Sequence, residues 1–237
     1  MTGCFAVDGV LFDLDGTLLD TIEDLAEGAN RMLAEIGRPL RSQAEIHGFV
    51  GKGIPSLVRR CLTEGSSASE EEIEIAVAVF HRHYAEVNGK STRIYPGVVE
   101  SLAALAAQGM RLACVTNKAA AFTEPLLERM GLTRWFDAVV SGDTLAVKKP
   151  DPAVIHYTCS LLGLPADAVL MIGDSENDAL AARLAGAPVL LLTYGYSEGR
   201  PVDTIECDGL LSDIREALPR IQRRSGPARG PFSATVS

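Results

Sequence analysis

The sequence predicts an α/β fold with a doubly wound parallel sheet, interrupted after its first strand by an α-helical insert. From Val98 onward, helical and strand-type apolar patterns alternate, which is typical of a parallel sheet with helices on both faces. Before that point, residues 22–87 carry helical patterns only. A segment of this length is too long for a plain loop, so we expect a separate helical unit.

The first strand is predicted at Val7–Phe12, a short apolar run that leads into the acidic segment Asp13–Thr17. Apolar residues at helical spacing then predict a helix over Ile22–Ile36. Within the later part of the insert, Ser69 and Glu72 have the spacing of a capping box, which satisfies free N–H groups of a first helical turn.

The second half of the chain is predicted to contain four further strands and five helices. The strands are expected at Arg111–Val115, Ala138–Val140, Ala168–Ile172 and Pro188–Thr193, and the helices at Val98–Ala107, Ala120–Met130, Ala153–Leu162, Asn177–Leu184 and Leu211–Ile221. A tail rich in Gly and Pro is expected to be disordered. The predicted units are an α/β core of residues 1–18 and 94–222, a helical cap of residues 19–93, and a disordered tail of residues 223–237.

The composition narrows the possible partners. A formal net charge of −9 argues against broad nucleic-acid binding, which needs a basic surface. A small anionic substrate would therefore need a locally positive site. The sequence carries neither a signal-type segment nor a long apolar span, and its five cysteines lack zinc-site spacing. We expect a cytoplasmic protein, monomeric or a small homo-oligomer, that contacts neither nucleic acid nor membrane.

Polar residues follow the predicted strands at four places. They are Asp13 with Asp15, Thr116 with Asn117, Lys149, and Asp174 with Asp178. Ligands of open parallel sheets bind at the carboxyl ends of the strands. Alone, the Asp-x-Asp-Gly segment is compatible with a simple turn. Four such clusters in this arrangement favour one shared site.

These residues also resemble a known family. The segments Asp13–Leu18, Val115–Asn117, Lys149–Pro152 and Gly173–Asp178 resemble the four motifs of the haloacid dehalogenase-like hydrolases, and the resemblance spans about residues 7–222. It implies a Rossmann-like core and Mg²⁺-dependent hydrolysis of a small phosphorylated metabolite.

The resemblance also implies roles for the acidic residues. Asp13 would attack phosphorus and form an aspartyl-phosphate. Asp15 would protonate the leaving oxygen and then accept a proton from water. Mg²⁺ would be held by the carboxylates of Asp13 and Asp174 and the backbone carbonyl of Asp15. Asp178 would act on the ion indirectly, through a water molecule or another ligand.

Thr116 and Asn117 would hold phosphoryl oxygens beside a helix N-terminus, although Thr116 could also cap that helix. Lys149 would offset the clustered negative charge. Lys148 is its alternative, but Lys149 directly precedes Pro150 as in the family pattern.

The segments Phe49–Ile54 and Thr193–Tyr196 resemble, within this superfamily, the phosphoglycolate phosphatases. The implied substrate is 2-phosphoglycolate, with Lys52 or a backbone N–H near Gly51 as the candidate for binding its carboxylate. The alternatives are a phosphomutase acting on β-glucose 1-phosphate, a nucleotide or pyrophosphate hydrolase, and a noncatalytic phosphate-binding module.

Overall fold

The core is built on a six-stranded parallel sheet. The computed structural model describes residues 4–63, 65 and 67–224. Numbered along the chain and given in spatial order, the strands are β6 (Ala138–Val140), β5 (Arg111–Val115), β2 (Gly9–Phe12), β7 (Val169–Gly173), β8 (Val189–Leu192) and β9 (Gly209–Leu211). All neighbouring pairs are parallel, so the predicted doubly wound sheet is confirmed.

The order of the strands places a crevice at the carboxyl end of β2. From β2 the chain first builds β5 and β6 on one side and then returns to build β7 on the other. Connections that leave in opposite directions open a space above the strand ends, where ligands bind in such sheets. The first acidic segment follows β2 directly.

Helices cover both faces of the sheet. They are α5 (Val98–Ala107), α6 (Ala120–Arg129), α7 (Ala153–Leu162) and α8 (Glu176–Ala185). Successive strand residues point to opposite faces. Phe12 and its neighbours therefore pack with α5 and α6, whereas Leu11 and its neighbours pack with α7 and α8. Two buried apolar layers fix the sheet between them.

The described residues of the insert form four helices, α1 (Ile22–Glu35), α2 (Gln43–His47), α3 (Ile54–Thr63) and α4 (Glu70–Val87). Their apolar faces form one buried cluster that includes Met32 and Phe80, and Phe122 and Tyr196 of the core complete it. The predicted capping box of Ser69 and Glu72 is present. The insert thus has its own core, which Phe122 and Tyr196 connect to the α/β layer.

Two short strands join the insert to the sheet. β3 (Leu19–Asp20) and β4 (Arg93–Ile94) pair antiparallel, so the chain leaves and re-enters the core at one place. Next to this pair, the buried carboxylate of Asp24 accepts four hydrogen bonds from residues 89–92. The donors are the backbone N–H groups of Gly89, Ser91 and Thr92 and the hydroxyl of Thr92.

The start and the end of the core differ from the predictions. The run Val7–Phe12 forms two strands, because β1 (Phe5–Val7) leaves the main sheet and pairs with β10 (Ile221–Arg223). The predicted helix Leu211–Ile221 is wrong, since a 3₁₀ helix, Ile214–Arg220, lies there between β9 and β10.

Two features explain the 3₁₀ helix. Pro219 lacks the N–H that an α-helix would use, and the residues buried on this segment, Ile214 and Ala217, are three apart. Arg223 still belongs to β10, whereas residues 225–237 of the predicted disordered tail lie outside the described residues. Among the described residues, no helix combines the length and apolarity needed to cross a bilayer.

We expect Asp24→Ala to lower the free energy of unfolding by about 3 kcal/mol, because it removes the acceptor of buried backbone N–H groups. Glu27→Ala on the same helix is the matched control, since Glu27 is exposed and pairs only at the surface with Arg31. Its expected effect is below about 1 kcal/mol. Urea denaturation of both variants measures the difference, and equal losses would contradict this role of Asp24.

Candidate active site

A small cavity lies between the carboxyl ends of the strands and the helical insert. It encloses about 40 Å³. Its lining from the core includes Asp13, Asp15, Thr116, Asn117, Lys118 and Asp174, and its lining from the insert comprises Leu25, Val50, Gly51, Gly53, Ile54 and Leu57. Most of the residues singled out from the sequence therefore share one site, although Lys149 and Asp178 lie behind its wall and Lys52 points elsewhere.

Lys149 connects the two acidic strand ends. Its ammonium lies 2.9 Å from Asp13 Oδ1 and donates hydrogen bonds of 2.7 Å to Asp178 Oδ1 and 2.6 Å to the carbonyl of Val115. Burial acts to lower the pKa of Lys149, but the two carboxylates outweigh it and raise that pKa above its ordinary value. These contacts favour the charged form of the buried Lys149, whereas Lys148 is exposed.

Asp178 organises the loop after β7. Its Oδ2 accepts hydrogen bonds from the backbone N–H groups of Asp174 and Ser175, at 3.2 and 3.1 Å, and from the Ser175 hydroxyl at 2.7 Å. Gly173 is required beside it, because a Cβ there would lie 2.3 Å from Asp178 Cγ. With both oxygens engaged, Asp178 supports the loop and is less suited to bind an ion directly.

The carboxylate of Asp174 is held from two sides. Thr17 Oγ1 donates to its Oδ1 at 2.8 Å, and the backbone N–H of Tyr196 donates to its Oδ2 at 2.6 Å. Gly16 and Gly195 leave room for it, since a Cβ at either position would approach an Asp174 oxygen to 2.3 Å. The segment after β8 thus packs against the Asp174 side chain and donates a hydrogen bond to it.

The site holds more negative than positive charge. Carboxylate oxygens of Asp13, Asp174 and Asp178 lie within 4.8 Å of one another, and Lys149 is the ammonium that contacts this cluster. Burial, opposed by Lys149 and reinforced by Asp178, raises the pKa of Asp13 to about 7. Burial and the neighbouring Asp13 and Asp178 also raise the pKa of Asp174. A further cation would relieve this repulsion.

Asp15 is held by a residue that the sequence reasoning missed. Lys118 Nζ lies 3.0 and 3.1 Å from its two carboxylate oxygens, and Thr21 Oγ1 donates to Oδ1 at 2.7 Å. The signal was available, because Lys118 directly follows the Thr116–Asn117 motif. A lysine one residue beyond a strand-end motif reaches the same edge of the sheet.

Thr116 and Asn117 differ in their surroundings. Ala119 is the N-cap of α6, so the alternative that Thr116 caps this helix is wrong. Thr116 lines the cavity, and its hydroxyl accepts a hydrogen bond from the backbone N–H of Lys118. Asn117 Nδ2 donates to the carbonyls of Gly51 and Lys149, both at 2.9 Å. Asn117 thereby fastens the insert to the core.

The loop Gly51–Gly53 of the insert approaches the core at the mouth of the cavity. Lys52 has a side chain that is 58% exposed, and its Nζ pairs with Glu198 at 3.0 Å rather than facing the cavity. Gly51 adopts a φ of 136°, and its carbonyl also accepts a hydrogen bond from Asn177. The backbone of this loop, not the Lys52 ammonium, is what lines the site.

These strand-end residues coincide with a family pattern. A family model described as haloacid dehalogenase-like hydrolase matches residues 10–192, a range that contains all four motifs. The chain belongs to the haloacid dehalogenase-like hydrolases. The resemblance predicted from the motifs is therefore confirmed.

Curated relatives within these hydrolases cover nearly the whole chain. It is 46% identical to the plasmid phosphoglycolate phosphatase of Cupriavidus necator, over 90% of this chain and 91% of the relative. It is also 46% identical to the phosphoglycolate phosphatase of Nitrosospira multiformis, over 92% and 97%. A crystal structure of a predicted phosphoglycolate phosphatase from Haemophilus somnus superimposes with a TM-score of 0.85 at 34% identity, covering 90% and 97% of the two chains.

We expect Gly195→Ala to destabilise the protein by about 2 kcal/mol or more, because the new Cβ would displace Asp174. Gly48→Ala is the control. Gly48 has a helical φ of −68°, and a Cβ there would meet nothing nearer than 3.4 Å. Thermal unfolding compares the two variants, and a Gly195→Ala variant as stable as Gly48→Ala would contradict the packing described for Asp174.

Proposed function

We propose that this hydrolase is a Mg²⁺-dependent phosphatase that converts 2-phosphoglycolate to glycolate and phosphate through an aspartyl-phosphate on Asp13. The observation that carries the proposal is the buried cluster of three carboxylates matched by one lysine, placed beside a cavity at the strand ends. The names of the curated relatives support the choice of substrate.

The donor set fits Mg²⁺. Asp13 Oδ1 is buried and contacts the Lys149 ammonium at 2.9 Å, and each Asp174 oxygen receives a single donor from the described residues, so lone pairs remain on these carboxylates for an ion. Hard carboxylate oxygens with few protein ligands suit Mg²⁺, which retains water and binds substrate phosphate. Asp13, Asp174 and the carbonyl of Asp15 would hold it. When bound, the ion would neutralise charge on the transferring phosphoryl group.

The chemistry then divides between two carboxyl groups. Asp13 is the nucleophile, since it lies at the end of β2 with its charge offset by Lys149. Its oxygen forms a bond to phosphorus as the bond to the glycolate oxygen breaks, and Asp15 donates a proton to that oxygen. Asp15 next accepts a proton from the water that attacks the aspartyl-phosphate, which releases phosphate and restores Asp13.

Phosphoryl oxygens would be held by Thr116 and the backbone beside it. Thr116 lines the cavity, and its hydroxyl retains a proton to donate because its hydrogen bond with Lys118 uses only a lone pair. Asn117 is largely committed to Gly51 and Lys149, so we assign it mainly to holding the loop that closes the site.

The insert would select the substrate. Its contribution to the lining is mostly apolar, with backbone from Gly51 and Gly53. The choice of 2-phosphoglycolate over a sugar phosphate or a nucleotide rests on the names of the curated relatives. The substrate carboxylate would meet backbone N–H groups of the loop, and Lys52 could join them only after leaving Glu198.

A substrate panel tests the proposal. Steady-state kcat/KM is measured with 2-phosphoglycolate, β-glucose 1-phosphate, nucleoside monophosphates and pyrophosphate, each with Mg²⁺ and with EDTA. We expect the highest value for 2-phosphoglycolate and loss of turnover in EDTA that is restored by excess Mg²⁺. Preference for another compound would replace the substrate, and absence of phosphate release from every compound would indicate a noncatalytic binding module.

We expect Asp13→Asn to lower kcat by ~10³-fold or more, because the amide cannot act as the nucleophile. Acid quenching of wild type during turnover of ³²P-labelled substrate should trap a protein-bound phosphate that the variant lacks. Asp8→Asn, at the opposite end of β2, is the matched control and should behave as wild type. An Asp13→Asn variant that still accumulates labelled protein would exclude Asp13 as the nucleophile.

Lys149→Ala should reduce kcat/KM by ~10²-fold or more, since it removes the cation that offsets Asp13 and Asp178. Lys148→Ala removes a neighbouring but exposed ammonium, and we expect a reduction below about tenfold. The two variants are compared in the same phosphate-release assay. The reverse ranking would show that Lys148 performs the role assigned here to Lys149.

A further inference from the structure

A second buried lysine links the helical insert to the acid/base residue. The Lys118 side chain is only 2% exposed. Its Nζ contacts both carboxylate oxygens of Asp15 and donates a 2.8 Å hydrogen bond to the hydroxyl of Tyr84. Asp15 belongs to the core and Tyr84 to α4 of the insert, so a single ammonium joins the two units at the reacting centre.

The Tyr84 side of this link is rigid. Tyr84 is fully buried, its ring stacks on Phe80 at 5.2 Å, and it lies against Phe122 at 5.0 Å. Gly28 on α1 leaves space for the ring, since a Cβ there would approach it to 3.1 Å. The hydroxyl is therefore held in place by the packing of the insert against the core.

The Asp15 side depends on this lysine. Lys149, the other buried ammonium of the described site, is engaged by Asp13, Asp178 and the Val115 carbonyl. Without Lys118, the Asp15 carboxylate would keep one hydrogen bond within the described part of the chain, from Thr21, and could rotate about it. Proton transfer requires the carboxyl group to lie within hydrogen-bond reach of the leaving oxygen. Rotation of the Asp15 carboxyl group would therefore lower the rate of this step.

We propose that Lys118 is a positioning residue that holds Asp15 for proton transfer, and that Tyr84 makes this depend on the docked insert. The proposal rests on the function proposed above. It assigns to the insert a part in the chemical step in addition to enclosing the substrate.

The test distinguishes impaired proton transfer by Asp15 from a nonspecific loss of activity. Phenyl phosphate and 4-nitrophenyl phosphate have nearly the same shape, but phenolate is the poorer leaving group and needs the proton from Asp15 more. The value of kcat/KM includes only steps up to the first irreversible one, which is phosphoryl transfer. Asp15→Asn should therefore lower kcat/KM more for phenyl phosphate than for 4-nitrophenyl phosphate. We call this difference between the two substrates the leaving-group signature.

We expect Lys118→Met to show the same leaving-group signature. The fold-decrease in kcat/KM should be about ten times larger, or more, for phenyl phosphate than for 4-nitrophenyl phosphate. Adding Lys118→Met to Asp15→Asn should lower kcat/KM little further, because both substitutions remove the same function, proton transfer by Asp15. Lys90→Met replaces an exposed lysine and serves as the matched control, with unchanged kinetics.

Tyr84→Phe keeps the ring packing and removes only the hydroxyl, so it tests the link even if Lys118→Met folds poorly. We expect a smaller loss with the same preference for phenyl phosphate. Equal losses on both substrates, or full additivity with Asp15→Asn, would overturn the inference while leaving the proposed function intact. A wild type inactive on both aryl phosphates and on 2-phosphoglycolate would overturn the proposed function, and this inference with it.

Discussion

The ammonium of Lys149 lies between the carboxylates of Asp13 and Asp178, and the rest of the site is arranged around that contact. A buried charge without a partner is costly, so the three groups hold one another in place. Asp178 extends this order to the backbone that carries Asp174. Burial and the neighbouring carboxylates raise the pKa of Asp13 and Asp174, and a cluster balanced by a single lysine is suited to a divalent cation.

Polar contacts join the insert to the core next to the cavity. Asn117 holds the Gly51 carbonyl, and the Tyr196 hydroxyl accepts a hydrogen bond from the backbone N–H of Thr21. Lys118 reaches Tyr84 in the same region. Apolar packing of the insert against Phe122 and Tyr196 accompanies these polar contacts. The insert therefore meets the core beside the residues that line the cavity.

Much of the fold followed from the sequence, because alternating apolar patterns directly reflect parallel strands and covering helices. The strand-end residues Asp13, Thr116 and Asp174 were brought together for the same reason. The final predicted helix failed, since Pro219 and three-residue burial favour a 3₁₀ helix. Ion pairs between distant segments could not be predicted from the sequence pattern. The pairs Lys118–Asp15 and Lys52–Glu198 join residues far apart in the chain, and no local sequence feature indicates them.

In the proposed function, Asp13 and Asp174 hold Mg²⁺ at a site whose negative charge is only partly balanced by Lys149. The most direct measurement is the free energy of unfolding of wild type and Asp174→Asn as MgCl₂ is raised at constant ionic strength. An ion that binds only the folded state stabilises it with a logarithmic dependence on concentration. We expect this rise for wild type and little or none for Asp174→Asn. A wild type insensitive to Mg²⁺, or an equal rise in both proteins, would contradict it.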